Sequence, residues 1–119
     1  MDVSGGHVLI IEDEPIIALE LEALLSDLGY RTFDIADSPG DAMRFAASNR
    51  PDLITADYRI HSGTGAEAVE RIRAAFGRIP VVYVTGNPDA FDHGDTPVVD
   101  KPISLSALAA ACGRATGGS

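Results

Sequence analysis

The chain is poor in the residues that would tie it to several common functions. It has one cysteine, Cys112, so no internal disulfide can form, and its place in an Ala/Leu-rich helical stretch reads as a small core side chain rather than a reactive thiol. Nine basic residues stand against eighteen acidic ones, a formal charge of −9, which argues against direct binding to nucleic acid or to an anionic membrane. No apolar run approaches a membrane span. The first residues, Met1-Asp2-Val3-Ser4-Gly5-Gly6, have neither the basic start nor the long apolar run of a secretory signal, so a cytoplasmic location is expected. Repeats, low-complexity tracts and linkers are missing before Gly117-Gly118-Ser119. The expectation is one domain over residues 1–119, its core running from about 7 to 115, large enough to need no staples.

What is present is an alternation of strand and helix signals. His7-Val8-Leu9-Ile10-Ile11 is a continuous apolar run that breaks into Glu12-Asp13-Glu14-Pro15, a buried strand followed by a helix start with Asp13 or Glu14 as cap and Pro15 at the first helical position. Ile17, Leu21, Leu24 and Leu28 recur at helical spacing up to Gly29. Arg31 to Ala36 alternates with period two, as a strand with one less buried face or an edge position does. Ser38-Pro39 opens a second helix with Ala42, Phe45 and Ala46 inward. Pro51-Asp52-Leu53-Ile54-Thr55-Ala56-Asp57 reads as a buried parallel strand ending in a carboxylate. Thr64-Gly65-Ala66-Glu67 has capping-box spacing, and Val69, Ile72 and Phe76 form the buried stripe of the third helix. Ile79 to Thr85 is a fourth strand, Pro97 to Asp100 a short fifth, and Ser104 caps a last helix through Leu105, Leu108 and Cys112. The segment from Asn87 to Pro97 is turn-rich and lacks a helical stripe, so the fourth helix is expected to be shortened or disordered.

Such alternation implies right-handed βαβ crossovers. The expected fold is α/β, a flavodoxin-like doubly wound five-stranded parallel sheet of order 2-1-3-4-5 with helices on both faces. Ligand chemistry in such sheets gathers outside the carboxyl ends of the strands, which here deliver Glu12 and Asp13, Asp57, Thr85 and Lys101 to one edge. Carboxylates so placed repel one another, and a raised pKa or a bound cation relieves them. An all-oxygen donor set without His or Cys suits Mg²⁺. Thr85 brings a hydroxyl donor and Lys101 a compact positive charge, both suited to phosphate oxygens. Asp57, the carboxylate nearest the middle, can serve as a nucleophile and become an acyl phosphate.

These residues resemble the receiver domains of two-component response regulators. The likeness runs from about His7 to the last helix. It rests on Glu12-Asp13 after the first strand, Asp57 after the third, Thr85 after the fourth and Lys101-Pro102 after the fifth, five features whose order and separations are specific together. The resemblance implies a phosphoprotein of two-component signal transduction: a phosphoacceptor, not an enzyme, that assists its own phosphorylation and dephosphorylation. Its donor would be the phosphohistidine of a sensor histidine kinase or phosphotransfer protein, with a downstream protein partner that the sequence does not name. It implies Asp57 as the acceptor, Thr85 and Lys101 as its helpers, and Mg²⁺ held by Asp13, Asp57 and the backbone carbonyl of Arg59, with Glu12 acting largely through water. It also implies a cis peptide bond between Lys101 and Pro102.

One departure stands out. The family's aromatic switch position, three residues before the lysine, is Val98 here. With Tyr83-Val84-Thr85-Gly86 this resembles the receiver subgroup named for its Phe-Ala-Thr-Gly motif, and the signal is then expected to pass through ordering of residues 87 to 96. The resemblance implies that Arg59 and Asn87, two residues after Asp57 and Thr85, flank the phosphoryl group and tune its lifetime; Arg59 reads equally as a shield for that group and as a solvated loop charge. Of the histidines, His61 reads as solvated, and His7 and His93 show no metal-ligand spacing.

Three other readings compete. A flavin or nucleotide domain needs a Gly- or hydroxyl-rich phosphate loop after its first strand, where this chain carries three acids. A Mg-dependent phosphohydrolase of the dehalogenase type carries a second aspartate two residues after its nucleophile, where Arg59 stands, and needs a cap for which the chain has no room. A receiver-like protein-binding module that is never phosphorylated would not need Asp13, Asp57, Thr85 and Lys101 together.

Overall fold

A computed structural model describes residues 6–90 and 92–117. Its elements in chain order are β1 (His7–Ile11), α1 (Pro15–Asp27), β2 (Thr32–Ala36), α2 (Pro39–Ser48), β3 (Leu53–Ala56), the short strands β4 (Arg59–Ile60) and β5 (Gly63–Thr64), α3 (Gly65–Phe76), β6 (Val81–Thr85), β7 (Val98–Asp100) and α4 (Leu105–Ala115). The main sheet has five parallel strands in the order β2-β1-β3-β6-β7. Counted without the β4-β5 hairpin, this is the expected 2-1-3-4-5.

The apolar runs make the interior strands because a parallel sheet is covered on both faces. Every residue of β1, β3 and β6 is buried. Alternate side chains go to opposite faces: Leu9, Ile11, Ile54, Ala56, Val81 and Tyr83 join the core under α2 and α3, while Val8, Ile10, Leu53, Val82 and Val84 join the one under α1 and α4. β2 lies at an edge and is the least buried of the long strands; its exposure does not follow the period-two alternation of its sequence, because Ile35 faces solvent while Phe33 and Asp34 are half-buried.

The helix starts follow the side chains read from sequence. Ser38, Thr64 and Ser104 accept the N–H groups of Asp41, Glu67 and Ala107, and Pro15 opens α1 behind Glu14. In α1 the buried line is Ala18, Leu21 and Leu25, with Ile17, Leu24 and Leu28 packed at its flank. The expected stripe is thus rotated, with Ala18 and Leu25 facing the core and Ile17, Leu24 and Leu28 beside them. The segment after β6 holds one turn of 3₁₀ helix, Pro88–Ala90, the shortened element expected there. Lys101-Pro102 is cis.

The β4-β5 hairpin, with Ser62 at a left-handed φ of 66°, has no counterpart in the sequence reading. It sets Gly65 so close to the chain end of β3 that a Cβ there would lie 1.8 Å from the carbonyl oxygen of Asp57. Only glycine permits this approach.

Candidate functional site

The parallel ladder continues past the strands themselves, and this brings the site residues to one edge. Glu12 N–H donates to the Ala36 carbonyl at 2.9 Å, Asp57 N–H to the Ile11 carbonyl at 2.9 Å, and Lys101 N–H to the Thr85 carbonyl at 3.1 Å. Each residue is therefore held by the end of a neighbouring strand, not by a free loop.

Their side chains converge. Lys101 Nζ donates to Asp57 Oδ2 at 2.9 Å and to Glu12 Oε1 at 3.1 Å, with Glu14 Oε2 at 3.7 Å. Tyr58 N–H donates to Asp57 Oδ1 at 2.7 Å, so both oxygens of Asp57 are oriented. Ligand oxygens of Glu12, Asp13 and Asp57 all lie within 4.8 Å of one another. Thr85 is buried and its Oγ1 accepts the Asn87 N–H at 3.2 Å. A cleft of about 270 Å³ opens over Asp57, lined also by Glu14, Tyr58, Arg59, Thr85, Asn87 and Lys101.

The charges do not balance. At an effective dielectric of about 20, two unit charges about 4.8 Å apart repel by roughly 3.5 kcal/mol, less for Asp13, which is exposed to water. One ammonium faces this cluster. Burial pushes the Glu12 carboxyl above its ordinary range, and Asp57 adds to the effect against the opposing hydrogen bond from Lys101. Burial would lower Lys101, but its hydrogen bonds to Asp57 and Glu12 outweigh it and hold the ammonium above the usual lysine value. Surplus negative charge on hard oxygen donors at a solvent-open cleft fits a divalent cation of the Mg²⁺ kind.

The remaining sequence candidates fall out as follows. Arg59 and Asn87 stand at the mouth of the cleft, and the Arg59 guanidinium lies 5.9 Å from the Tyr58 ring centre. His61 is exposed, and His7 sits at the far end of β1, bonded to Thr32 and Asp34. Val98 pairs with Tyr83 across β7 and β6, and both pack in the core under α2 and α3. Glu14 and Tyr58 were not singled out from sequence. Glu14 reads there only as a helix cap, yet it makes no side-chain cap bond and lies near Lys101 instead.

The sequence and fold have known counterparts. Residues 8–112 match the model of the response regulator receiver domain, and the chain belongs to that family. Within it the chain is PhyR-like. It is 36% identical over 115 residues to the phyllosphere-induced regulator PhyR of Methylorubrum extorquens, a match covering 92% of this chain and 43% of that protein. The solution structure of the receiver domain of Erythrobacter litoralis PhyR superposes with a TM-score of 0.85 at 33% identity, covering 95% of this chain and 91% of that one. The receiver domain of sensor histidine kinase PA1611 from Pseudomonas aeruginosa, solved with a magnesium ion coordinated in its active-site cleft, superposes with a TM-score of 0.83 at 29% identity, covering 97% of this chain and all of that one. The chain spans less than half the length of the Methylorubrum relative. Among the described residues no helix is long and apolar enough to cross a membrane.

Proposed function

We propose that this chain is a phosphoacceptor receiver, a single folded unit with its core over about residues 7–115, that takes a phosphoryl group onto Asp57 from the phosphohistidine of a sensor kinase or phosphotransfer protein. The observation that carries the reading is the Lys101 ammonium bonded to both Asp57 and Glu12 beside a three-carboxylate cluster.

Asp13, Asp57 and the Arg59 backbone carbonyl would hold Mg²⁺, with Glu12 behind them through water. Bound there, the ion would neutralise charge on the phosphoryl oxygens. The chain's own residues do the rest. A carboxylate oxygen of Asp57 attacks phosphorus, the new P–O bond forms as the P–N bond breaks, and the donor imidazole, already protonated at its other ring nitrogen, leaves with the electron pair as neutral imidazole. Lys101, already within hydrogen-bond distance of Asp57 Oδ2, passes its contact to a phosphoryl oxygen, and the Thr85 hydroxyl donates to another. Neither group changes its charge, so the step needs positioning rather than acid–base chemistry. Arg59 and Asn87 flank the path of hydrolytic water and set the phosphoryl lifetime. The domain works in the cytoplasm, where such donors are made.

Acetyl phosphate with Mg²⁺ tests the reading by intact-mass spectrometry. The parent protein gains the mass of one PO₃ group and Asp57→Asn gains none. Failure of the parent to gain mass from acetyl phosphate and from phosphorylated kinases alike would leave a receiver-fold binding module.

A further inference from the structure

A second concentration of charge lies at the opposite edge of the sheet. A cleft of about 440 Å³ opens beside the start of β6 and the last turns of α3 and α4, and Arg73, Arg78 and Arg114 line it with His93, Asp95 and Thr96. Three of the nine basic residues of a chain with formal charge −9 thus share one small hollow with a single carboxylate. Elsewhere Arg71 pairs with Glu67 on α3 and Arg44 with Asp41 on α2. Arg78 and Arg114 are exposed and their side chains make no hydrogen bond or ion pair among the described residues. Arg73 is fixed in place, its Nη2 donating to the Ile79 carbonyl at 3.1 Å, while its Nε is buried with no acceptor among the described residues.

We propose that this cleft binds a small phosphate-bearing anion. Its volume falls in the range of small-molecule pockets. Guanidinium forks match the oxygens of phosphate, and the Thr96 side chain adds a hydroxyl able to donate, while His93, its Nδ1 3.2 Å from the Thr96 carbonyl, forms part of the wall. An extended polyanion such as nucleic acid or an acidic protein surface would meet the repulsion of the remaining acidic surface, whereas a compact anion seated in the hollow does not. The site is separate from the Asp57 cleft: Val81 lines one and Thr85 the other, and the length of β6 between them is roughly 13 Å.

The test is an NMR titration of the ¹⁵N-labelled chain in Mg²⁺-free buffer with inorganic phosphate, pyrophosphate and ATP, against sodium chloride at matched ionic strength. The expected result is saturable shifts in the amides of residues 73–78, 94–97 and 114–115, with those of residues 57, 85 and 101 unmoved. Arg78→Ala and Arg114→Ala, exposed positions whose loss leaves the rest of the spectrum in place, should each weaken binding about tenfold, and Arg78→Lys by less. ATP binding more tightly than pyrophosphate assigns the site to a nucleotide, and equal binding assigns it to the phosphate group itself. Shifts that track ionic strength without saturating, shifts confined to the Asp57 cleft, or variants that bind like the parent overturn the proposal. Displacement of pyrophosphate by lower concentrations of poly-glutamate also overturns it, in favour of a protein-docking surface.

Discussion

Gly65→Ala should damage both the fold and the site, and the size of the damage follows from one contact. The added Cβ would sit 1.8 Å from the Asp57 carbonyl oxygen, 2.9 Å from its carbonyl carbon and 3.2 Å from Ala56 Cβ. Ordinary contact begins near 3.4 Å, so α3 and the end of β3 must part by about 1.6 Å. The obstacle is backbone, which cannot rotate away. Parting also breaks the Gly65 N–H to Tyr58 carbonyl bond, 2.7 Å long. Overpacking of this kind costs about 1–3 kcal/mol and a lost hydrogen bond about 1 kcal/mol. The sum, about 2–4 kcal/mol, lowers the melting temperature by roughly 8–15 °C in a domain of this size. Gly40→Ala is the control: it lies in α2, nothing lies within 4 Å of its Cβ, and the substitution should stabilise by about 0.5–1 kcal/mol. Urea and thermal unfolding of both variants measure the contrast, and acetyl phosphate labelling of Gly65→Ala at a temperature where it stays folded measures the displacement of Asp57. A Gly65→Ala midpoint within 0.5 kcal/mol of the parent would refute the steric reasoning.

Other substitutions probe different parts of the molecule. Thr55, fully buried between Ile10 and Val82 in the sheet, has a hydroxyl with no hydrogen-bond partner among the described residues; Thr55→Val should stabilise by about 1 kcal/mol in urea unfolding, and a loss would mean that the hydroxyl is satisfied in solution. Lys101→Met strips Glu12, which is 2% exposed, of its cation. It should cost about 3 kcal/mol at neutral pH without metal, part of it restored by Mg²⁺, and an unchanged midpoint would contradict the pairing. Cys112 is buried, and its thiol is pushed up to about 11. At pH 8 it should therefore resist iodoacetamide in the native state and react only in denaturant.

The strands were legible because a parallel interior strand is apolar throughout: His7–Ile11 shows in the sequence with the bounds it has in the structure. Asp57 and Lys101 were legible for a related reason, since a polar residue directly after such a run marks a strand end. What the sequence hides is contact between distant segments. Two-residue strands such as Arg59–Ile60 have no period to detect, so Gly65 reads as part of a helix cap and not as the point where α3 touches the Asp57 backbone. The rotation of the α1 stripe is hidden for a similar reason, because which of Ile17 or Ala18 faces inward is settled by packing against the sheet. The distal arginine cleft joins residues from three separate segments, each with an unremarkable charge of its own.

On the proposed function, with Val98 at the position where the family's aromatic switch was expected, a signal from Asp57 needs another route, and Thr85 offers one. Its Oγ1 accepts the Asn87 N–H at 3.2 Å, immediately before the 3₁₀ turn Pro88–Ala90. A hydroxyl turned toward a phosphoryl oxygen on Asp57 moves away from that N–H. The bond is worth about 1 kcal/mol, enough to change the population of an opened turn roughly fivefold, and short 3₁₀ turns have little other hydrogen bonding to resist it. Beryllofluoride with Mg²⁺ should therefore shift the amides of residues 87–96 and change their hydrogen exchange. Thr85→Val, which removes the acceptor, should speed exchange at Asn87 before any analogue is added and should abolish the further change when it is. If exchange at Asn87 is the same in parent and variant, and residues 87–96 ignore beryllofluoride in the parent, Thr85 is not the link and the 3₁₀ turn does not report phosphorylation.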